Sequence, residues 1–90
     1  MEFEWDEAKR AANRAKHRLD FVDAIALFEA LHVEVGARTV DGEERYLAIG
    51  WMDEGVATAI FKRRGDSIRL ISRRRSRNDE RRRYQALHGG

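Results

Sequence analysis

Ninety residues make one domain with one small core, and the absence of Cys excludes disulfides and thiolate metal sites. A hydrophobic fraction of 42% is too high for a disordered basic tail, and no apolar run approaches the ~20 residues that span a bilayer. The net charge of +2 hides a split: residues 62–83 carry eleven basic against three acidic groups, a formal +8, whereas residues 1–61 carry seven against thirteen, a formal −6. Ten of those eleven basic groups are arginine. A planar guanidinium grips phosphate through two parallel hydrogen bonds, so nucleic acid is the first partner to consider. The opening MEFEWDEAK is acidic and unlike a signal peptide, which makes the cytoplasm the expected compartment.

Met1–Trp5 alternates apolar and acidic residues and reads as a short edge strand. Asp6 is a natural N-cap for a helix through AKRAANRAKH, with Glu7 favourable in its first turn. Ala8, Ala11, Ala12 and Ala15 form a small-residue face suited to close packing. Arg18-Leu19 is a tight link, and Asp20 caps a second helix with Phe21, Ala24, Ile25 and Phe28 at helical spacing. From Leu31 the period becomes two. Strands are expected at Leu31–Val35, Arg45–Trp51, Val56–Lys62 and Ile68–Arg73, with turns at Asp41-Gly42, Asp53-Glu54-Gly55 and Gly65-Asp66. Ser76 or Asn78 can cap a last helix, NDERRRYQAL, ending at His88-Gly89-Gly90, and the last few residues are expected to be disordered. Short turns favour antiparallel neighbours. The expectation is a single α+β domain over residues 1–90: a twisted antiparallel sheet with two N-terminal helices and a C-terminal helix on one side.

On the first helix Lys9, Asn13, Lys16 and His17 share a face, combining phosphate donors, an amide and a group that moves protons near neutral pH. In the last strand, alternation puts Arg69, Ile71 and Arg73 on one face and Ile68, Leu70 and Ser72 on the other. A mid-strand arginine must reach an anion or pair with an internal acid. Arg64 ends the neighbouring strand and converges with Arg69 and Arg73 if the register allows. The final helix brings Arg77, Glu80, Arg81 and Tyr84, whereas Arg81-Arg82-Arg83 spans three faces and cannot all enter one site. Both tryptophans read as core residues. The three His show no metal-ligand spacing, so no metal or cofactor is expected.

This inventory suits a metal-free ribonuclease. The RNA 2′-OH is an internal nucleophile, leaving the protein to orient it, move two protons and stabilise charge. The competing reading is a non-catalytic basic module that binds RNA or an acidic protein.

Phe3-x-Trp5-Asp6-x-x-Lys9, Asn13-x-x-Lys16-His17, Phe21 with Ala24 and Phe28, Arg45 with Ile49-Gly50, the block Ile68-Arg69-Leu70-Ile71-Ser72-Arg73-Arg74, and Glu80 with Tyr84 together resemble the BrnT family of type II toxins. The resemblance covers about residues 3–84. Arg18 stands where that pattern usually has Gly, and Arg73 where it often has a small residue. The resemblance implies a RelE-like fold and a translation-blocking endoribonuclease. It also implies a BrnA-type antitoxin partner, with DNA contacted only through that antitoxin and no membrane association. The residues expected to carry catalysis are Lys16, His17, Arg69 and Arg73 or Arg74, with His17 or Glu80 moving protons and Lys9, Arg64, Ser72, Arg77 and Tyr84 contacting RNA.

Overall fold

In a computed structural model, which describes residues 2–52 and 55–88, a five-stranded sheet separates two helical layers. The strands are β1 (Glu2–Trp5), β2 (His32–Val40), β3 (Glu43–Met52), β4 (Gly55–Arg64) and β5 (Ser67–Arg75). The helices are α1 (Glu7–His17), α2 (Ala24–Glu29), which follows a single 3-10 turn at Phe21–Asp23, and α3 (Asn78–His88).

The sheet order is β1-β5-β4-β3-β2. Strands β2 to β5 run antiparallel as their turns require, but β1 joins β5 in parallel, Phe3 opposite Ile68. The sheet is therefore mixed, because a strand that opens the chain may pair in either direction with one more than sixty residues later. The β2–β3 hairpin is longer than the sequence pattern suggests. Asp41 and Gly42 both take positive φ, 51° and 78°, which makes a two-residue turn that carries the ladder to its tip. Asp53 and Glu54 of the expected next turn, Met1 of the first strand, and Gly89-Gly90 lie outside the described residues.

Adjacent residues of β3 show the two layers. Ala48 joins the main core with Phe21, Ala24, Leu27, Phe28, Phe61, Ile68 and Leu70, while Ile49 packs with Val33 and Tyr84 on the opposite face. Helix α3 thus covers the other side of the sheet from α1 and α2, not the same side. The small residues Ala48, Ala57 and Ala59, all fully buried, let α2 approach, and Phe28 meets Phe61 edge-on at 5.0 Å. Gly50 serves the same approach: a Cβ there would lie 3.3 Å from Leu27 Cγ and 3.2 Å from His32 Cβ. Trp5 packs on this core as expected, but Trp51 is 61% exposed.

Helix α1 begins where the sequence indicates. Asp6 Oδ1 accepts the N–H groups of Ala8 and Lys9 at 2.8 and 3.2 Å. It does not pack through its alanines, however: Ala8, Ala11, Ala12 and Ala15 are all exposed, and Asn13 is its one buried residue. Polar bonds hold it instead. Arg10 Nε and Nη2 reach the two oxygens of Asp20 at 2.7 and 3.0 Å. That pair, with the Val22 N–H, holds the Asp20 carboxyl down at about 2 against its partial burial. The helix ends at Arg18 in the left-handed region, φ 59° and ψ 30°, with its N–H returning to Arg14 O.

Candidate functional site

Strand β5 carries the basic residues, and one irregularity decides where they point. Ile60 of β4 pairs with Ser72 while the next residue, Phe61, pairs with Leu70, so Ile71 has no partner. This bulge breaks the alternation. Arg73 therefore turns to the α1 side with Ile68 and Leu70, whereas Arg69 stays on the α3 side with Ile71. The sequence-based grouping of Arg69, Ile71 and Arg73 on one face is corrected accordingly. Arg73 is 2% exposed, and its Nη1 donates to Asp20 O at 3.3 Å and stands 3.9 Å from Asp23 Oδ2. Arg69 faces Glu4 across the β1 edge at 3.8 Å. Arg64 pairs with Ser67 beside the Gly65 turn. Five strand residues separate it from Ala59, the partner of Arg73, or about 16 Å of strand. Arg64, Arg69 and Arg73 do not converge.

The residue after Arg73 does enter a concavity. A groove of about 650 Å³ lies between the sheet and α3. Its floor is aliphatic, with Val35, Leu47, Ile49, Ile60 and Ile71. Its walls carry Arg38, Arg45, Arg74, Arg77 and Arg83, together with Ser72, Asp79 and Glu80. Five guanidiniums around one groove match a phosphate backbone, and the apolar floor can take the flat of a base.

Arg74 is held by a buried network. Its Nη1 and Nη2 donate to Glu80 Oε1 and Oε2 at 2.7 and 2.8 Å, side by side. Glu80 Oε1 also accepts the Thr58 hydroxyl and the Arg77 N–H, each at 2.9 Å. The Arg77 bond caps α3 from its third residue back. Neither expected cap does this: Ser76 Oγ meets Thr58 Oγ1 at 2.7 Å, and Asn78 Oδ1 accepts from Arg81. Burial alone would raise the Glu80 carboxyl. Arg74, the Arg77 N–H and Thr58 outweigh it and hold the group at about 2, while the Arg74 guanidinium is raised in turn. Glu80 is therefore a permanent anion at neutral pH.

His17, half-buried at the end of α1, lies within electrostatic reach of Arg74. Its partial burial, with the charges of Lys16 and Arg74, lowers it below the ordinary imidazole value and so favours the neutral ring. Lys9 and Lys16 are exposed on the same helix. Tyr84 is 7% exposed, packed in the second core and 4.9 Å from the His88 ring. The structure thus gathers Ser72, Arg74, Arg77 and Glu80 at the groove, while His17 lies outside its lining and feels the charge of Arg74. It sets Arg64 and Arg69 apart and buries Arg73 and Tyr84. Arg38, Arg45 and Arg83 were absent from the sequence-derived site. Arg45 could have been found, since strand alternation places it with Leu47 and Ile49. Among the described residues no three His, Cys, Asp or Glu side chains come together to hold a metal ion, and no helix is long and apolar enough to cross a membrane.

A profile described as the ribonuclease toxin BrnT of type II toxin–antitoxin systems matches residues 5–80. The chain belongs to this BrnT family. A sequence comparison with curated proteins gave no match. The crystal structure of the Brucella abortus ribonuclease toxin BrnT is similar at 33% identity, covering 87% of this chain and 99% of that one, with a TM-score of 0.65. The α+β architecture of five strands and three helices is shared with it. Membership in the BrnT family implies an RNA substrate and an antitoxin partner.

Proposed function

We propose that this BrnT protein is a metal-independent endoribonuclease of RelE-like fold that blocks translation in the cytoplasm. A BrnA-type antitoxin would neutralise it and supply its only contact with DNA. The observation that carries this reading is the arginine-walled groove, with Arg74 locked by Glu80.

The chemistry follows from the substrate. His17 takes the proton of a 2′-OH as that oxygen attacks the adjacent phosphorus. The P–O2′ bond forms and the P–O5′ bond breaks. The leaving 5′ oxygen takes a proton from the Lys16 ammonium, and the products are a 2′,3′-cyclic phosphate and a 5′-hydroxyl. Arg74 faces the charge that develops on the phosphoryl oxygens. Arg38, Arg45, Arg77 and Arg83 hold the flanking backbone, with Ser72 beside them and Lys9 outside the groove. Ionised Glu80 positions Arg74 and moves no proton. Arg69, Arg73 and Tyr84 support the site through the fold, and Arg64 adds surface charge.

Purified protein incubated with single-stranded RNA in excess chelator should cleave it to cyclic-phosphate ends. The activity should vanish in Arg74→Ala and His17→Ala. RNA affinity should fall with salt at a log–log slope near ~0.7 per phosphate contact. Arg45→Ala and Arg83→Ala should each lower that slope, while Arg69→Ala leaves it unchanged. Binding without cleavage in every RNA tested would favour the non-catalytic module.

A further inference from the structure

Helix α1 carries His17, and strand β5 carries Arg74. Little apolar surface joins them, because the alanines of α1 face solvent and Asn13 is the helix's one buried residue. The Asn13 carboxamide uses all its bonding capacity at that contact. Its Nδ2 donates to Arg73 O at 2.9 Å and to Leu19 O at 3.1 Å. Its Oδ1 accepts the Arg73 N–H at 3.1 Å and the Ser72 hydroxyl at 3.0 Å. The side chain thus takes both backbone bonds of Arg73, as a neighbouring strand would, just past the Ile71 bulge. His17 follows one turn later on the same face of α1. Arg74 is the next residue of β5.

We infer that Asn13 is a positioning residue, which fixes the distance between His17 and the Arg74 guanidinium by clamping the end of α1 to β5. Arg10–Asp20 ties α1 to the 3-10 turn and the β1–β5 pairing fixes where the helix starts, whereas the Asn13 bonds hold its second half to the backbone of β5. A polar clamp suits this task, since directional bonds fix the register where apolar contacts would permit sliding. The inference rests on the role given above to His17. It adds that the catalytic geometry is set by a residue that touches neither substrate nor reacting atoms.

The test compares Asn13→Ala with the parent protein in two measurements. One is single-turnover cleavage against RNA affinity. The other is the titration of the His17 imidazole by NMR in the free protein. The charged groups that bear on His17 are Lys16 on its own helix and Arg74 on β5. Asn13→Ala should slow cleavage on the order of 100-fold while affinity stays within about threefold, as a misplacement near 1 Å does. The His17 titration should move up toward the ordinary value of 6.5 as Arg74 recedes. Asn13→Gln, which keeps the amide and shifts it by one methylene, should show the same pattern and serves if the alanine variant does not fold. An unchanged rate with an unchanged His17 titration would overturn the inference. So would failure of both variants to fold, which would make Asn13 a residue of general stability. His17→Ala is measured alongside. Parental cleavage by that variant would overturn the role of His17 itself, and the His17 titration in the Asn13 variants would then decide the clamp alone.

Discussion

Arg74 and Glu80 meet side by side through two parallel hydrogen bonds of 2.7 and 2.8 Å, with both partners largely withdrawn from water. A pair of this kind fixes a guanidinium plane in a way that a lysine could not. It also removes Glu80 from proton transfer. Glu80→Gln keeps one oxygen for Thr58, the Arg77 N–H and Arg74 Nη1, and loses the charge and the bond from Arg74 Nη2. Its cleavage rate should fall by about tenfold or less, against the 10²–10⁴-fold expected on losing a general acid or base. Single-turnover kinetics measure this, and a loss beyond about 100-fold would return Glu80 to the proton-transfer step.

The partial burial of His17 and the charges of Lys16 and Arg74 give a pH dependence with a definite sign. Imidazolium is disfavoured there by burial and by two cations, so the acidic limb of the rate profile should lie below 6.5. Removing the Arg74 charge favours the imidazolium and should raise the His17 titration. Arg74→Lys keeps the charge and should leave it low. NMR titration of Arg74→Gln and Arg74→Lys provides the comparison, and equal values in the two would show that Arg74 does not act on His17.

Acid should unfold the protein through two carboxylates. Glu80 and Asp20 both sit at about 2 in the folded chain, against ordinary values of 4.5 and 3.8. A depressed carboxyl contributes stability that is complete above its unfolded value and is lost as pH falls toward its folded value. Stability should therefore hold above about pH 5 and decline from there to pH 2, with about 3 kcal/mol of the loss tied to Glu80. Denaturant midpoints across this range check it, and Glu80→Gln should flatten the decline.

Arg18 places a Cβ where glycine would be unstrained, at φ 59°. Arg18→Gly should raise stability by about 0.5–1 kcal/mol, the relief of the left-handed strain less the added freedom of the unfolded chain. A melting temperature higher by about 3–6 °C would be the readout. An unchanged or lower value would mean that the arginine side chain repays its strain through contacts of its own.

Local features of this fold were legible and distant ones were not. Asp6 and the Asp41-Gly42 turn are decided by neighbours within four residues, and both lie where the sequence puts them. The alternation that puts Arg45 with Leu47 and Ile49 is equally local and would have led to part of the groove, although the sequence-derived site left Arg45 out. The parallel pairing of β1, the side chosen by α3 and the Ile71 bulge all depend on contacts between segments far apart in the chain. That bulge alone moved Arg73 out of the group with Arg69 and made Arg74 the arginine of the groove. The alanines of α1 misled because small residues permit close packing without requiring it. Asn13 was visible as one polar residue in a stripe, but nothing local marks it as buried.

The parallel pairing of β1 with β5 has a bearing on synthesis. Residues 2–5 find their strand partners only at 67–70, and Asn13 bonds to residues 72 and 73. A chain emerging from the ribosome N-terminus first holds α1 and the β2–β3 hairpin long before it holds any of these partners. Until β5 is out, α1 has no register and the groove has no Arg74. The seating of α1 and the completion of the groove consequently both wait on the synthesis of β5.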